Sequence, residues 1–210
     1  MLRLTGPAGA ASVVIDDAVV VPEGHSIHKS SESDPVTITI RAARHCDLPT
    51  LQCMNESALP AVNSVPVSFF ERYLSVAGYL RVAETGGRVV GFVQVMSAAE
   101  DYRSLNFQWF KARYSEFVYI DRVVVDAAAR GCGVGEALYN DVRRTVEHGV
   151  ARIVCEVNLR PLNARSLRFH KRLGFEPVGT QVTDQGRKTV QLMCLTLPAA
   201  CRPLPDVHDD

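Results

Sequence analysis

The chain carries no surplus charge: 23 Lys and Arg are matched by 23 Asp and Glu, so no global field favours a nucleic acid or an acidic partner. No apolar run is long enough to span a bilayer, and the first residues lack the charged, apolar and small-residue succession of a secretory leader. Neither a membrane nor a nucleic acid is expected as partner. Six cysteines, Cys46, Cys53, Cys132, Cys155, Cys194 and Cys201, fall at irregular spacings without a CxxC pair. That excludes a thiol-rich zinc framework and points to reduced, mostly buried thiols of a cytoplasmic protein. His25 and His28 form an HxxH in a polar stretch without the further ligands a metal site needs, so no metal is expected. GxxxxGK[ST] is missing, as is any internal repeat or low-complexity tract.

What is present is an ordinary globular composition, 47% hydrophobic and 22% charged over 210 residues, enough for one substantial core. Residues 1–35 read as a flexible extension, 36–198 as the folded domain and 199–210 as a tail. Thr37 to Arg41 alternates as a strand, and Asp47 before Leu48-Pro49 is positioned as a helix N-cap. Ser68 to Val76 has helical spacing. Leu80–Ala83 and Arg88–Met96 flank Thr85-Gly86-Gly87, a hairpin signal. A polar and aromatic insertion, Asp101 to Tyr114, precedes a strand over Phe117 to Val125. Val134, Leu138, Val142 and Val146 then fall at helical spacing. A strand over Arg152 to Asn158, a helix over Asn163 to Leu173 closed by Gly174, and a hairpin around Asp184-Gln185-Gly186 complete the pattern. The fold class is α/β with mixed, α+β character.

Between the Phe117 strand and the helix that starts near Glu136 lies Arg130-Gly131-Cys132-Gly133-Val134-Gly135. A glycine-rich turn that opens a helix aims several unpaired N–H groups and the positive end of the helix dipole at one point. Arg130 adds a forked, permanent charge. This is a seat for a pyrophosphate. A dinucleotide fold needs its first glycine directly after the strand and a third glycine where Glu136 stands. Here Ala127 to Arg130 widen the turn, and the tempting acidic residue twenty positions on, Glu156, does not repair it. Coenzyme A pyrophosphate is the remaining reading, with a nicotinamide dinucleotide kept as its rival.

The stretch Val125 to Gly135 resembles the acyl-CoA motif of the GNAT superfamily of acetyltransferases, Arg/Gln-x-x-Gly-x-Gly/Ala, position by position. Asn163, Ala164, Ser166 and Phe169 to Phe175 are similar to the family's second conserved block, with His170 where tyrosine is common and Ala127 where proline is common. The resemblance implies a mostly antiparallel sheet of about six or seven strands flanked by helices, with a splayed parallel central pair. It implies acetyl-CoA as co-substrate and direct attack by a primary amine in a ternary complex. Cofactor contacts are then expected from Val123, Val124, Val125, Arg130, Gly131, Cys132, Gly133, Val134, Gly135 and Glu136, and from Asn158, Asn163, Ser166 and Phe169.

Strand parity puts Tyr119, Asp121, Val123 and Val125 on one face; related enzymes carry their base at the first two of these positions, so the resemblance implies Asp121, the one carboxylate there, as candidate base, against a plain Asp121–Arg122 or backbone contact. His170 follows Phe169 as the family's acidic tyrosine does, so the resemblance implies His170, or Tyr119, as candidate acid, against a histidine packed on its helix and bonded to a carbonyl. Asn55, Glu56, Tyr102 and Asn106 are candidate acceptor contacts, whereas Trp109 reads as packing. A small-molecule amine or amino acid is the expected acceptor. A protein or peptide acceptor, and a non-catalytic acyl-CoA sensor, stay open, and a homodimer is allowed for.

Overall fold

The computed structural model describes residues 11–14, 37–75, 79–146 and 150–198. The HxxH, most of the N-terminal segment and the tail beyond Pro198 lie outside these residues. Eight strands form one sheet: β1 (Ala11–Val14), β2 (Thr37–Ala42), β3 (Tyr79–Thr85), β4 (Arg88–Ser97), β5 (Val118–Val125), β6 (Arg152–Arg160), β7 (Glu176–Thr183) and β8 (Lys188–Thr196), in the order β1-β2-β3-β4-β5-β6-β8-β7. Seven of them lie between residues 37 and 196, and every neighbouring pair is antiparallel except β5 and β6. β1 falls inside the segment read as an extension and pairs with β2, which covers an edge of open backbone groups.

Five helices cover the two faces: α1 (Leu48–Ser57), α2 (Val67–Ser75), α3 (Leu105–Lys111), α4 (Val134–Thr145) and α5 (Ala164–Arg172). The expected helical face of α4 is buried through Val134, Leu138 and Val142, with Ala137 and Tyr139 beside them. Those side chains meet Ile40, Val90, Val93, Val95, Val118, Ile120 and Ile153 in one core layer. On the other face, Leu51 of α1, Phe70 of α2 and Phe107 and Phe110 of α3 pack on Val82, Phe92, Tyr119, Val154 and Leu192. Asp47 stands at the N-cap position of α1, yet its carboxylate accepts from the Arg44 amide and from Arg41, both at 2.7 Å, not from the helix amides.

α3 lies inside the polar and aromatic insertion Asp101 to Tyr114, for which the sequence pattern predicts no element. Ser104 begins it by accepting from the Phe107 amide, and Phe107 and Phe110, one turn apart, anchor it. Trp109 packs flat on β7: a Cβ at Gly179 would stand 2.8 Å from its ring. Gly174 ends α5 at φ 87° while the Phe175 amide donates back to the His170 carbonyl, the glycine stop expected there. Three of the five described cysteines, Cys46, Cys53 and Cys132, are exposed, so the expectation of mostly buried thiols holds only for Cys155 and Cys194.

Candidate active site

β5 and β6 pair only at Val118 with Ile153 and Tyr119 with Val154. Beyond these residues the strands diverge, and the β6-facing edge of β5 runs on to Val125 with no strand partner. Into this gap opens a cavity of about 940 Å³ lined by Val123 to Val125, the glycine loop, Asn158, Asn163, Ser166 and Phe169. Asp126 caps the short turn Ala127–Ala129 by accepting from the Ala128 amide at 2.9 Å. The chain then passes through Gly131 at φ 88° and Gly133 at φ 78°, conformations that L side chains rarely take. Gly133 is the N-cap of α4. Among the described residues, the amides of Gly131, Gly133, Val134, Gly135 and Glu136 have no acceptor, so five N–H groups converge with the helix dipole at the cavity rim.

Arg130, Arg165, Arg168 and Arg172 line the same cavity against one carboxylate, Glu136. That excess of positive charge suits a polyanion. A Cβ at Gly135 would stand 3.1 Å from the Phe169 ring, so this glycine lets α4 and α5 close around the loop. Of the expected cofactor contacts, Cys132 alone does not line the cavity. Asn163 accepts from the Ser166 amide at 3.1 Å and so caps α5, while the Asn158 amide donates to the carbonyls of Pro60 and Ala61.

A second cavity of about 480 Å³ shares Ala61, Val62, Val123, Asn158, Asn163, Ser166 and His170 with the first. Its walls come from residues 61–63, from Tyr102 and Ser104 to Asn106, and from Thr183, Asp184 and Lys188 of the β7–β8 hairpin. Of the four candidate acceptor contacts, Tyr102 and Asn106 line this cavity. Asn55 and Glu56 do not. Asn55 is fully buried, accepting from Arg122 at 2.8 Å and donating to the Asn63 carbonyl, and Glu56 accepts from Gln52 and Ser64. Both side chains fix the loop between α1 and α2 instead of reaching an acceptor.

The parity argument fails at a bulge. Gln94 pairs with Arg122 and Val95 with Ile120, so Asp121 is the extra residue. Tyr119 packs with Val124 in one core layer, whereas Val123 and Val125 pack in the other, so these four residues do not share a face. Asp121 accepts from Arg122 Nε at 2.7 Å and from the Tyr102 hydroxyl at 2.8 Å. With Arg122 buried and further tied to Asn55 and Asn63, both Asp121 oxygens are committed, one to an internal ion pair and the other to the Tyr102 hydroxyl.

Glu156, on β6, is the carboxylate at the floor of the second cavity. Protein surrounds it on all sides but the cavity, and this burial lifts its pKa from the ordinary 4.5 to about 7; hydrogen bonds from Tyr119 and Asn106 oppose the rise, and the Asp121 charge adds to it. The Tyr119 hydroxyl donates to its Oε2 at 2.7 Å, and burial holds that phenol well above its usual range, so Tyr119 is a donor to Glu156. Gln181 of β7 donates to Asn106 Oδ1 at 3.1 Å, which turns the Asn106 NH2 toward the carboxylate. The sequence held one signal for Glu156: it is a lone carboxylate inside the apolar run Ile153 to Val157.

His170 is buried at the junction of the cavities, and both ring nitrogens are engaged. The Ser166 carbonyl, 2.8 Å from Nδ1, can only accept, so Nδ1 carries the proton and Nε2 accepts from the Tyr139 hydroxyl at 2.6 Å. Burial pushes the His170 pKa down. The imidazole is held in place by both contacts, as in the packed-histidine alternative, and its partner Tyr139, itself fully buried, lines the second cavity beside it.

Residues 50–175 match the model of the acetyltransferase (GNAT) family. No curated protein matches the sequence significantly. Among solved structures, the ribosomal-protein-S18-alanine N-acetyltransferase of Escherichia coli is similar over 82% of this chain and 99% of its own, at 18% identity and TM-score 0.59. Arabidopsis thaliana NAA60 in complex with a bisubstrate analogue aligns over 76% and 97%, at 19% identity and TM-score 0.61. Salmonella typhimurium yncA with its cofactor acetyl-CoA aligns over 81% and 98%, at 21% identity and TM-score 0.57.

Proposed function

The chain belongs to the acetyltransferase (GNAT) family, and from that premise we propose that it moves an acetyl group from acetyl-CoA to a primary amine held in the second cavity. The observation that carries this reading is the contact between the two cavities. One is rimmed by five free amides and four arginines, and it meets, through the gap between β5 and β6, a second floored by a carboxylate poised near 7. The free amides and arginines hold the pyrophosphate of the donor, and the unpaired edge of β5 near Val123 and Val125 receives its amide-containing arm.

An ammonium is no nucleophile, so it must first lose a proton. Glu156 takes the base's place that parity had given to Asp121, because its carboxylate opens to the cavity and titrates in the useful range, whereas Asp121 is closed by Arg122 and Tyr102. The amine nitrogen then forms the new bond to the thioester carbon as the carbon–sulfur bond breaks, CoA leaves as its thiolate, and the second proton shed by the nitrogen passes to that sulfur. A well-placed base contributes about 10²- to 10⁴-fold. Tyr119 and Asn106 orient the carboxylate, and His170 orients Tyr139. A pure sensor of acyl-CoA has no use for a carboxylate raised to this range at the far side of the gap, which supports catalysis over sensing.

The three walls of the second cavity leave a confined volume, which supports a small amine or amino acid as acceptor. A peptide N-terminus is the second reading, favoured by similarity in fold to structures whose names specify ribosomal-protein alanine and a peptide-bearing bisubstrate analogue. A screen following thiol release from acetyl-CoA, with small amines, amino acids and short peptides as acceptors, tests the activity. Acceptor-dependent release supports it, and acetyl-CoA binding without release for any acceptor removes it.

A further inference from the structure

Of the acidic and basic side chains that line the second cavity, Asp121, Arg122 and Asp184 are in ion pairs, and among the described residues Glu156 and Lys188 are not. Asp121 is paired with Arg122 at 2.7 Å and Asp184 with Arg187 at 2.8 Å. Glu156 is the proposed base. Lys188, at the start of β8, lines the cavity and has no carboxylate partner among the described residues.

The register of the sheet fixes where this cation stands. Leu192 lies directly opposite Glu156 and Val190 opposite Asn158. Val154, Val190 and Leu192 belong to one core layer, so Glu156, two residues on from Val154, and Lys188, two before Val190, face the same side. Along β8, Lys188 is four residues from the level of Glu156, which is about 13 Å of strand. Glu156 and Lys188 therefore line one wall of the cavity at two levels separated by that length of strand.

Resting on the transferase reading, we infer that the acceptor is an amine that also carries an anionic group several bonds away, with the amine at Glu156 and the anion at Lys188. An α-amino acid is too short for this span, because its two charges sit on one carbon. The chemistry that fits is a primary amine and a carboxylate separated by an extended chain. Two sources supply it: a free ω-amino acid, or a peptide N-terminus followed closely by Asp or Glu. Ser104 and Thr183, on facing walls of the same cavity, offer hydroxyls to the connecting chain.

Matched acceptor pairs test the assignment: 6-aminohexanoate against 6-aminohexanamide, and an Ala-Glu peptide against its Ala-Gln counterpart. For a half-exposed pair, the acidic member should exceed its neutral match in kcat/KM by about three- to tenfold. The first pair separates the small-molecule source from the peptide source tested by the second. In Lys188→Met the acid-to-amide ratio should fall toward one, and in Lys188→Glu it should invert. Lys111→Met, a lysine outside both cavities, should keep the wild-type ratio. The same pairs are titrated calorimetrically into CoA-saturated protein. A Lys188-dependent preference in binding with no turnover would sink the transferase reading and leave this assignment standing. Equal binding and equal rates within both pairs, or a preference that survives Lys188→Met, would overturn it.

Discussion

Replacing Glu156 with Gln separates the cost of the proposed base from its use. Burial raises the folded-state pKa from 4.5 to about 7, and the unfolded chain keeps the ordinary value. Below about pH 4.5 both states are protonated and nothing is lost. Between 4.5 and 7 the unfolded state ionises first, so stability falls as pH rises, and above 7 the full penalty is in place. A shift of 2.5 units corresponds to at most about 3 kcal/mol. For a chain of this size that is about 6–12 °C in melting temperature. Gln keeps the acceptor for the Tyr119 hydroxyl and carries no charge. Thermal melts of wild type and Glu156→Gln at pH 4.5 and pH 8 should therefore show the wild type losing that much more than the variant on going to high pH. Acetyl transfer should drop by about 10²- to 10⁴-fold in the same variant. Parallel pH dependence in the two proteins would refute the buried-carboxylate argument, and retained turnover would refute the role.

Asp121→Asn should weaken the fold by about 3 kcal/mol through the half-compensated, buried Arg122. It should keep measurable turnover and move the acid limb of kcat/KM to lower pH, since the Asp121 charge raises Glu156; abolished turnover in a folded variant would return Asp121 to the base's position. Tyr119→Phe and Asn106→Leu each remove a donor that favours the charged carboxylate, so both should move that limb upward, read from a pH–rate profile. Gly135→Val sets a branched side chain against the Phe169 ring, where even a Cβ stands at 3.1 Å. It should weaken acetyl-CoA binding by about tenfold or more, a loss of at least about 1.4 kcal/mol on the affinity scale, while far-UV dichroism stays that of the wild type. Tyr139→Phe leaves His170 Nε2 buried without its donor and should cost about 1–3 kcal/mol in denaturant unfolding.

The fold was legible wherever local chemistry and periodicity agreed. The hairpin at Gly86-Gly87, the glycine loop opening α4, the Asn163 cap and the Gly174 stop each follow from backbone requirements that only a few residue types satisfy. α3 was within reach as well, since Ser104 is a cap and Phe107 and Phe110 lie one turn apart, but seven residues give little periodicity to read. The bulge at Asp121 was not legible, because nothing in Tyr119 to Val125 marks which residue leaves the ladder. That one extra residue decides which side chains share a face, so the base assigned by parity went to an ion pair. Glu156 lay in plain view as the lone acid of the run Ile153 to Val157 and was weighed only as the acidic residue of a dinucleotide fold. Whether such a carboxylate is paired or poised depends on Tyr119, Asn106 and the gap between β5 and β6, which are brought together from three separate segments.

Steady-state thiol release from acetyl-CoA, followed as a function of pH with a primary-amine acceptor from the screen, bears most directly on the central claim that the two cavities form one acetyl-transfer site with Glu156 as its base. Release should require both protein and acceptor, with kcat/KM rising through an apparent pKa near 7, the value about which burial holds Glu156, and levelling above it. A rate that stays flat across that range in the wild type, or release indifferent to the acceptor, would contradict it.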